Sequence, residues 1–298
     1  MNTKAKAGSR RNTLIAISLI LVVVLLASSL VVYKFLMVDD DSVRVKNANE
    51  LRDAINKAEV GVHTDIVLIN DISLGPALSI PAGADITLTS TDRTGFFRLI
   101  GLNGVNVITV ENGGRLTLDG IIVTHEAGST GNGVVVEIGG TLIMVDGKIS
   151  GNTATINDDE GGGVSVSWGY FTMSGGSITG NTARMGGGVF VGGDFKMIGG
   201  VISDNTASEY GGGVHVTRQS SFSMSDGVIS DNTAISGGGV CVWVGTFDMF
   251  DGEVSNNKAL SGYGGGVYNY YGTFNKSGGE ISDNAAAVGN DVHQKLSE

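Results

Sequence analysis

The chain of 298 residues has almost no proline or cysteine, with two prolines and one cysteine, Cys241. A single cysteine excludes a framework of intramolecular disulfides. Collagen is excluded because the 48 glycines come without proline and without a three-residue period. The 41% content of hydrophobic residues argues against disorder. Basic residues are also scarce, and the net charge of −11 disfavours nucleic acid and anionic lipid as partners.

The glycines instead mark a repeat of 25 to 27 residues. Each unit opens with Gly-Gly-Gly-Val, continues with Phe and then Met two places on, and closes with Ile-Ser-Asp-Asn or a variant. The opening phrases end at Val164, Val189, Val214, Val240 and Val267. A fixed period in this range is typical of stacked repeats, and the alternating phrases favour strands. Three strands and three corners make one closed coil, so the sequence predicts an all-β, single-stranded parallel β-helix of about nine coils over residues 64–298.

One asparagine recurs at the end of each unit. Stacked asparagines at a corner bind backbone groups above and below, so we expect a structural ladder with His125 in the same place one coil earlier. A ligand role is the alternative. The ladder positions are Asn152, Asn181, Asn205, Asn232, Asn257 and Asn284.

The N-terminal region predicts a membrane anchor. Residues 1–12 carry four basic residues and no acid, and residues 13–37 hold an apolar run long enough to span a bilayer as a helix. The charges on each side place residues 1–12 in the cytoplasm and the repeats outside the cell membrane, on a single-pass protein. A signal peptide cleaved near Ser29 is the alternative.

Residues 38–63 predict a stalk and a short capping helix. Leu51, Ala54, Ile55 and Ala58 fall on one helical face, and Asn47 has the spacing of a helix cap. Such a helix would cover the open end of the first coil, although an ordinary linker helix fits the pattern as well.

The phrases GGGVxV, GxFxMxGGxIS and SDNTA resemble the glycine-rich repeats of adhesin-like surface proteins in the pectate-lyase-like β-helix superfamily. The polymorphic outer-membrane-protein repeats are similar too, but their Phe-x-x-Asn motif is missing here. The resemblance spans residues 44–295 and implies a right-handed solenoid. It says little about activity, because the superfamily contains lyases, hydrolases and adhesins.

Strand parity predicts an outward aromatic face in the later repeats. If Val240 and Val242 point inward, Cys241 and Trp243 point outward, as do the equivalents of Cys241 in other coils. Exposed aromatic rings on a rigid sheet favour binding of a glycan or a partner protein, and simple cross-strand packing is the alternative. The predicted ligand-binding residues are Trp168, Phe190, Trp243, Tyr268, Tyr270 and Tyr271.

The sequence offers one candidate metal site and no candidate catalytic site. Asp158, Asp159 and Glu160 form the best metal site, for calcium, and a solvated acidic loop is the alternative. No cofactor is otherwise expected. No set of acids or basic residues indicates catalysis, so no catalytic residue is assigned.

We therefore expect an adhesin-like surface protein that binds glycan or a partner protein. An extracellular polysaccharide lyase or glycoside hydrolase is one alternative, and an envelope spacer without a ligand is another.

The last repeat carries a lysine where the others have methionine. Lys276 follows Phe274 by two places, so parity points it into the core. A buried, unpaired ammonium is unfavourable, so we expect a loosely covered C-terminal end through which Lys276 reaches water or a nearby acid.

Overall fold

The predicted solenoid is confirmed. The computed structural model describes residues 42–92, 94–154 and 160–295. From Val43 onward they form one compact unit, a right-handed parallel β-solenoid of about ten coils with one short helix. Strand β1 adds a layer beyond the nine predicted, because it pairs in parallel with β2 ahead of the helix. In the described residues the helix is α1 (Ala48–Lys57), and the strands are β1 (Val43–Val45), β2 (His63–Leu68), β3 (Ile72–Ser73), β4 (Leu78–Ile80), β5 (Asp85–Ser90), β6 (Arg98–Gly101), β7 (Ile108–Val110), β8 (Arg115–His125), β9 (Val134–Val136), β10 (Thr141–Ser150), β11 (Val164–Met173), β12 (Ser177–Thr179), β13 (Thr182–Met185), β14 (Val189–Ser203), β15 (Thr206–Tyr210), β16 (Val214–Val216), β17 (Ser221–Ser230), β18 (Thr233–Ala234), β19 (Val240–Trp243), β20 (Thr246–Met249), β21 (Glu253–Ser255), β22 (Lys258–Ala259), β23 (Val267–Tyr270), β24 (Thr273–Lys276), β25 (Glu280–Ser282) and β26 (Val292–Lys295).

Each coil contributes strands to three faces. The valine face stacks the Val-x-Val phrases, as in the register of Val214 on Val240. The phenylalanine face stacks Phe-x-Met, and the isoleucine face stacks the closing phrases. The named strands pair in parallel, because each lies beside its copy in the next coil, as β16 does beside β19 and β19 beside β23. In the early coils Ile86, Leu116 and Leu142 take the phenylalanine position, since Leu142 pairs with Phe171.

The core is a set of like-on-like columns. The rings of Phe171, Phe195, Phe222 and Phe247 are almost fully buried and stack with centroids 4.5–4.8 Å apart. Offset stacking of this kind stabilises by about 0.5–1.5 kcal/mol per pair beyond the burial of area. One coil cannot bury its apolar face alone, so neighbouring coils stabilise one another.

A second, four-stranded sheet was not predicted. It consists of β13, β15, β18 and β22, which pair in parallel with one another. These strands begin with Thr-Ala, or with Lys258-Ala259 in β22, between the ladder asparagine and the three glycines. We call them the outer sheet, because their continuations contact the outward side of the valine face.

The predicted capping helix is confirmed. Asn47 caps α1, since its Oδ1 accepts hydrogen bonds from the backbone N–H of Asn49 and Glu50. The buried side chains of Leu51, Ala54 and Ile55 join the hydrophobic core. The N-terminal end of the solenoid is therefore closed by an apolar helix face.

In the described residues the C-terminal end of the solenoid is open, as predicted. Phe274 and Ile281 are only half-buried, whereas their equivalents in earlier coils are fully buried. Lys276 is exposed, and its Nζ donates a hydrogen bond of 2.8 Å to the carbonyl of Gly279. The ammonium thus reaches solvent and a backbone oxygen rather than an acid.

Val105 precedes Val134 by about one repeat, but the register of the valine face pairs Val134 with Ile108. The predicted span at residues 13–37 lies outside the described residues. Within 42–92, 94–154 and 160–295 no helix has the length and apolarity needed to cross a membrane.

Candidate ligand-binding surface

The asparagine column is a structural ladder. In each step the Nδ2 of one asparagine donates to the Oδ1 of the next, as from Asn181 to Asn205 at 3.0 Å. The same Nδ2 also donates to a backbone carbonyl, that of Ile149 for Asn181. The Oδ1 of Asn205 in turn accepts from the backbone N–H of Asn181. The six side chains are buried, so their hydrogen-bonding capacity is used within the fold.

Different residues end the ladder on each side. His125 begins it, with Nδ1 2.8 Å from Oδ1 of Asn152 and Nε2 2.8 Å from the carbonyl oxygen of Val105. Both ring nitrogens therefore contact oxygen atoms, one of a side-chain amide and one of the backbone. Asp291 ends the ladder by accepting from the Nδ2 of Asn284. The left-handed residue at this corner is the one before the ladder asparagine, such as Asp204 with φ 57°.

The predicted exposure of the residues between the valines is wrong. Phe190 is 7% exposed, Tyr268 is 5% exposed and Cys241 is fully buried. His215 is buried as well, and its ring stacks on Phe190 at 5.6 Å. Phe190 and Tyr268 therefore offer little surface to a ligand.

The residues between the valines point outward as parity predicts, but they are not exposed because the valine face has a second layer outside it. The ring of Tyr210, at the end of β15, lies 6.2 Å from His215, and that of Tyr263 lies 5.6 Å from Tyr268. The glycine triplet allows this part of the chain to pack closely against the outward side of the valine face. A Cβ on Gly237, which has φ 63°, would lie only 2.8 Å from the Cβ of Cys241. The outer sheet and the glycine turns thus enclose residues that point away from the core.

Enclosure shifts the acid–base behaviour of these buried groups. Burial raises the pKa of the Cys241 thiol, so the thiol stays protonated and unreactive. Burial also raises the pKa of Tyr268 to about 12. It lowers the pKa of His215 to about 3, with a smaller contribution from the charge of Arg184. His215 is therefore a neutral ring at pH 7, and its Nδ1 has no hydrogen-bond partner among the described residues.

Aromatic side chains of the last three coils form one continuous surface. Trp243 stacks on Tyr270 at 4.1 Å, and Tyr210 lies 5.3 Å from Trp243. Tyr271 meets Tyr270 edge-on at 4.4 Å. Tyr263 and Tyr271 are 44% and 39% exposed. We call these five residues the aromatic surface, which combines the predicted Trp243, Tyr270 and Tyr271 with two tyrosines from corners.

Trp168 lies elsewhere. It is 58% exposed beside Tyr170, which is 53% exposed, on a coil four layers from Tyr271. At the inter-strand spacing this separates Trp168 from Tyr271 by about 19 Å along the solenoid. Trp168 therefore belongs to a second exposed aromatic corner and not to the aromatic surface.

Trp168 and Tyr271 share an unusual backbone. Both occupy the corner after the valine face in the left-handed region, with φ 58° and 54°, as does Val244 with φ 58°. Earlier coils place glycine at this corner, as at Gly139. A left-handed conformation is unfavourable by about 1–2 kcal/mol for a residue with a side chain. These corners therefore hold bulky side chains outward at the expense of backbone strain.

The predicted metal site is only partly described. Asp158 and Asp159 lie outside the described residues. Glu160 pairs with Arg184, with 3.8 Å between Oε1 and the guanidinium. Within the described ranges no three His, Cys, Asp or Glu side chains are grouped to hold a metal ion. The calcium prediction stays a prediction.

Sequence reasoning missed two residues beside the aromatic surface. His293 lies 4.6 Å from the ring of Tyr263, and the Nζ of Lys295 lies 5.1 Å from that of Tyr270. The sequence contains a signal for them, because Gly289-Asn-Asp-Val292 resembles the opening phrase and follows Val267 by one repeat. Extending that register places His293 beside Tyr268 and Lys295 beside Tyr270.

Comparison of the chain with protein-family models, curated proteins and solved structures finds no match. The assignment of the fold therefore rests on the structure alone, and the resemblance to adhesin-like surface proteins remains a prediction.

Proposed function

We propose that this protein is held at the cell surface by its N-terminal segment and binds a glycan through the aromatic surface. The observation that carries this proposal is the continuous run of Tyr210, Trp243, Tyr270 and Tyr271 on a rigid sheet. Flat rings with partly exposed faces suit stacking on the apolar faces of sugar rings, and tyrosine hydroxyls supply hydrogen bonds at their edges. The resemblance to adhesin-like proteins supports the same interpretation.

Binding fits the surface better than turnover does. Hydrolysis of a glycosidic bond ordinarily requires two carboxyl groups placed across the bond. The aromatic surface and its described neighbours His293 and Lys295 carry phenol, indole, imidazole and ammonium groups instead. A lyase or hydrolase therefore remains only an alternative suggested by the resemblance.

A glycan array probed with the full-length protein in detergent tests the proposal. We expect a restricted set of glycans to be retained without cleavage. Trp243→Ala should weaken retention at least tenfold, about 1.4 kcal/mol, because the central stacking surface is lost. Tyr170→Ala is the matched control, since it removes an exposed ring outside the aromatic surface, and it should retain wild-type binding.

Three outcomes would overturn glycan binding as the function. Products released from a retained glycan would establish an enzyme. Equal loss in the Trp243 and Tyr170 variants would place binding elsewhere. An empty array together with capture of a surface protein would identify a protein partner. Repeating the array with calcium and with a chelator tests the predicted metal.

Attachment to the membrane is a separate part of the proposal. It rests on the apolar run within residues 13–37 and on the basic residues before it. We expect the full-length protein to fractionate with membranes and the repeats to be cleaved by protease added to intact cells. A mature N-terminus near Ser29 would show instead that the segment is a cleaved signal.

A further inference from the structure

Two rings at the end of the aromatic surface form a corner that encloses an ammonium group. Tyr270 and Tyr271 meet with an interplanar angle of 64°. The Nζ of Lys295 lies 5.1 Å from the ring centre of Tyr270 and 5.2 Å from that of Tyr271. Both distances fall within the roughly 6 Å at which a cation is attracted to an aromatic ring. The pair thus has the geometry of an ammonium-binding site with two aromatic walls.

The two walls are held in place by the rest of the fold. Tyr270 is backed by Trp243, stacked at 4.1 Å with an interplanar angle of 22°. Tyr271 has φ 54°, at the corner where earlier coils have glycine. Backbone strain at a bulky residue persists where the surrounding structure fixes it, and it concentrates at functional sites. The walls are therefore preorganised before any cation arrives.

Lys295 is the least constrained part of this arrangement. It lies on β26, the last described strand, which pairs on one side with β23. The side chain is exposed, and a hydrogen bond to Tyr271 raises the pKa of Lys295. An exposed residue on an edge strand separates from its neighbours more readily than a residue in a central coil.

We propose that Tyr270 and Tyr271 form a binding site for an alkylammonium group, and that Lys295 fills this site in cis until an external cation displaces it. The ligand class is an organic ammonium ion, either a quaternary ammonium compound or a lysine side chain of another protein. The net charge of −11 favours the approach of cations. This inference is independent of glycan binding, because its test uses no carbohydrate.

Titration of the full-length protein with tetramethylammonium chloride at constant ionic strength tests the site. The Trp168→Phe background leaves Trp243, which stacks on Tyr270, as the only tryptophan reporter. We expect Lys295→Ala to bind tetramethylammonium at least tenfold more tightly than the parent, because no internal cation competes. Adding Tyr271→Leu should abolish binding, whereas adding Tyr170→Ala should leave it unchanged.

Charge and ligand source are tested on Lys295→Ala with matched compounds. Choline should bind and its neutral isostere 3,3-dimethylbutanol should not, because the attraction depends on the positive charge. Comparing choline with Nα-acetyl-lysine methylamide separates a quaternary ammonium ligand from a protein lysine, and binding of either supports the site. If circular dichroism shows that Lys295→Ala is misfolded, Lys295→Gln replaces it.

The proposal is wrong if the folded Lys295 variant does not bind tetramethylammonium. Equal affinity with and without Lys295 would show that the lysine does not occupy the site. An equal response to 3,3-dimethylbutanol would show an apolar patch rather than a cation site.

Discussion

At the scale of single residues, the ladder asparagines link neighbouring coils through buried hydrogen bonds. Asn205→Ala removes the acceptor for the backbone N–H of Asn181 and leaves the carbonyl of Ile178 without its donor. Because these groups are buried, we expect the free energy of unfolding to fall by about 1–3 kcal/mol. Urea denaturation of both proteins measures the change.

Asn275→Ala is the matched control for this substitution. Asn275 is exposed and bonds Asp248 by its side chain, so its loss should change stability by less than about 0.5 kcal/mol. A stable Asn205 variant that no longer binds the ligand of the wild type would contradict a purely structural ladder.

A second residue-scale prediction concerns His215 and acid. The pKa of its buried ring is about 3 in the folded protein, below the ordinary value of 6.5. Between these values the unfolded chain binds a proton that the folded chain does not, so stability falls as pH falls through this window. The slope for one such group approaches 1.4 kcal/mol per pH unit, and the stability is fully present above the unfolded value.

His215→Phe should flatten this dependence. Phenylalanine already occupies the same column at Phe190, so the variant should fit. We expect urea midpoints of the variant and wild type to differ more at pH 4 than at pH 8, in favour of the variant. An equal difference at both pH values would mean that His215 does not resist protonation.

At the scale of the repeated element, the glycine triplet leaves no room for a side chain. A Cβ on Gly238 would lie 2.5 Å from backbone atoms of Lys258 and 2.6 Å from the carbonyl oxygen of Gly265. Both contacts of the added Cβ are with backbone atoms, so the clash cannot be relieved by a side chain that changes its conformation. We expect Gly238→Ala to destabilise the protein by about 3 kcal/mol, measured by thermal unfolding.

Gly75→Ala is the control, since no atom lies within 4 Å of the added Cβ and the backbone there is not left-handed. It should leave the melting temperature nearly unchanged. A tolerated alanine at Gly238 would show that adjacent coils can separate without loss of pairing.

The element scale also shows what sequence reasoning could and could not provide. Three strands per coil followed from alternation, and their register followed from the repeat. The outer sheet did not, because strands such as Thr233–Ala234 are too short to show a period. Because that second layer was not predicted, strand parity led to the expectation that Phe190 and Tyr268 are exposed to solvent. Trp243 and Tyr271 were placed correctly because they lie where the outer layer leaves the face uncovered.

At the scale of the whole molecule, the two ends of the solenoid differ. Lys276 lies at the open end, so its substitution tests how that end is covered. It pairs in register with Met249, but its side chain is exposed at the open end. We expect Lys276→Met to raise the free energy of unfolding by about 1 kcal/mol, because methionine buries apolar area against the last coil. Denaturant unfolding measures this, and sedimentation tests for association through the exposed end.

Lys196→Met is the control, because Lys196 is an exposed lysine on β14 in the middle of the solenoid. It should give no comparable gain. Destabilisation of more than about 1 kcal/mol by Lys276→Met would show that the lysine has a specific role in holding the end.

Because one end of the solenoid is covered and the other is open, we expect unfolding to begin at the C-terminal end. Helix α1 covers the first coils with Leu51 and Ile55, whereas the last strands have free edges over half-exposed apolar side chains. Because each coil is stabilised by its neighbours, fraying that begins at the free edges advances coil by coil toward the N-terminus. Amide hydrogen exchange should therefore show protection that declines along the solenoid, strongest near Ile86 and weakest near Ile281. When the last coil detaches, the coil next to it becomes the new exposed edge of the solenoid. The protein can therefore lose its outermost coils while the remaining coils keep their structure.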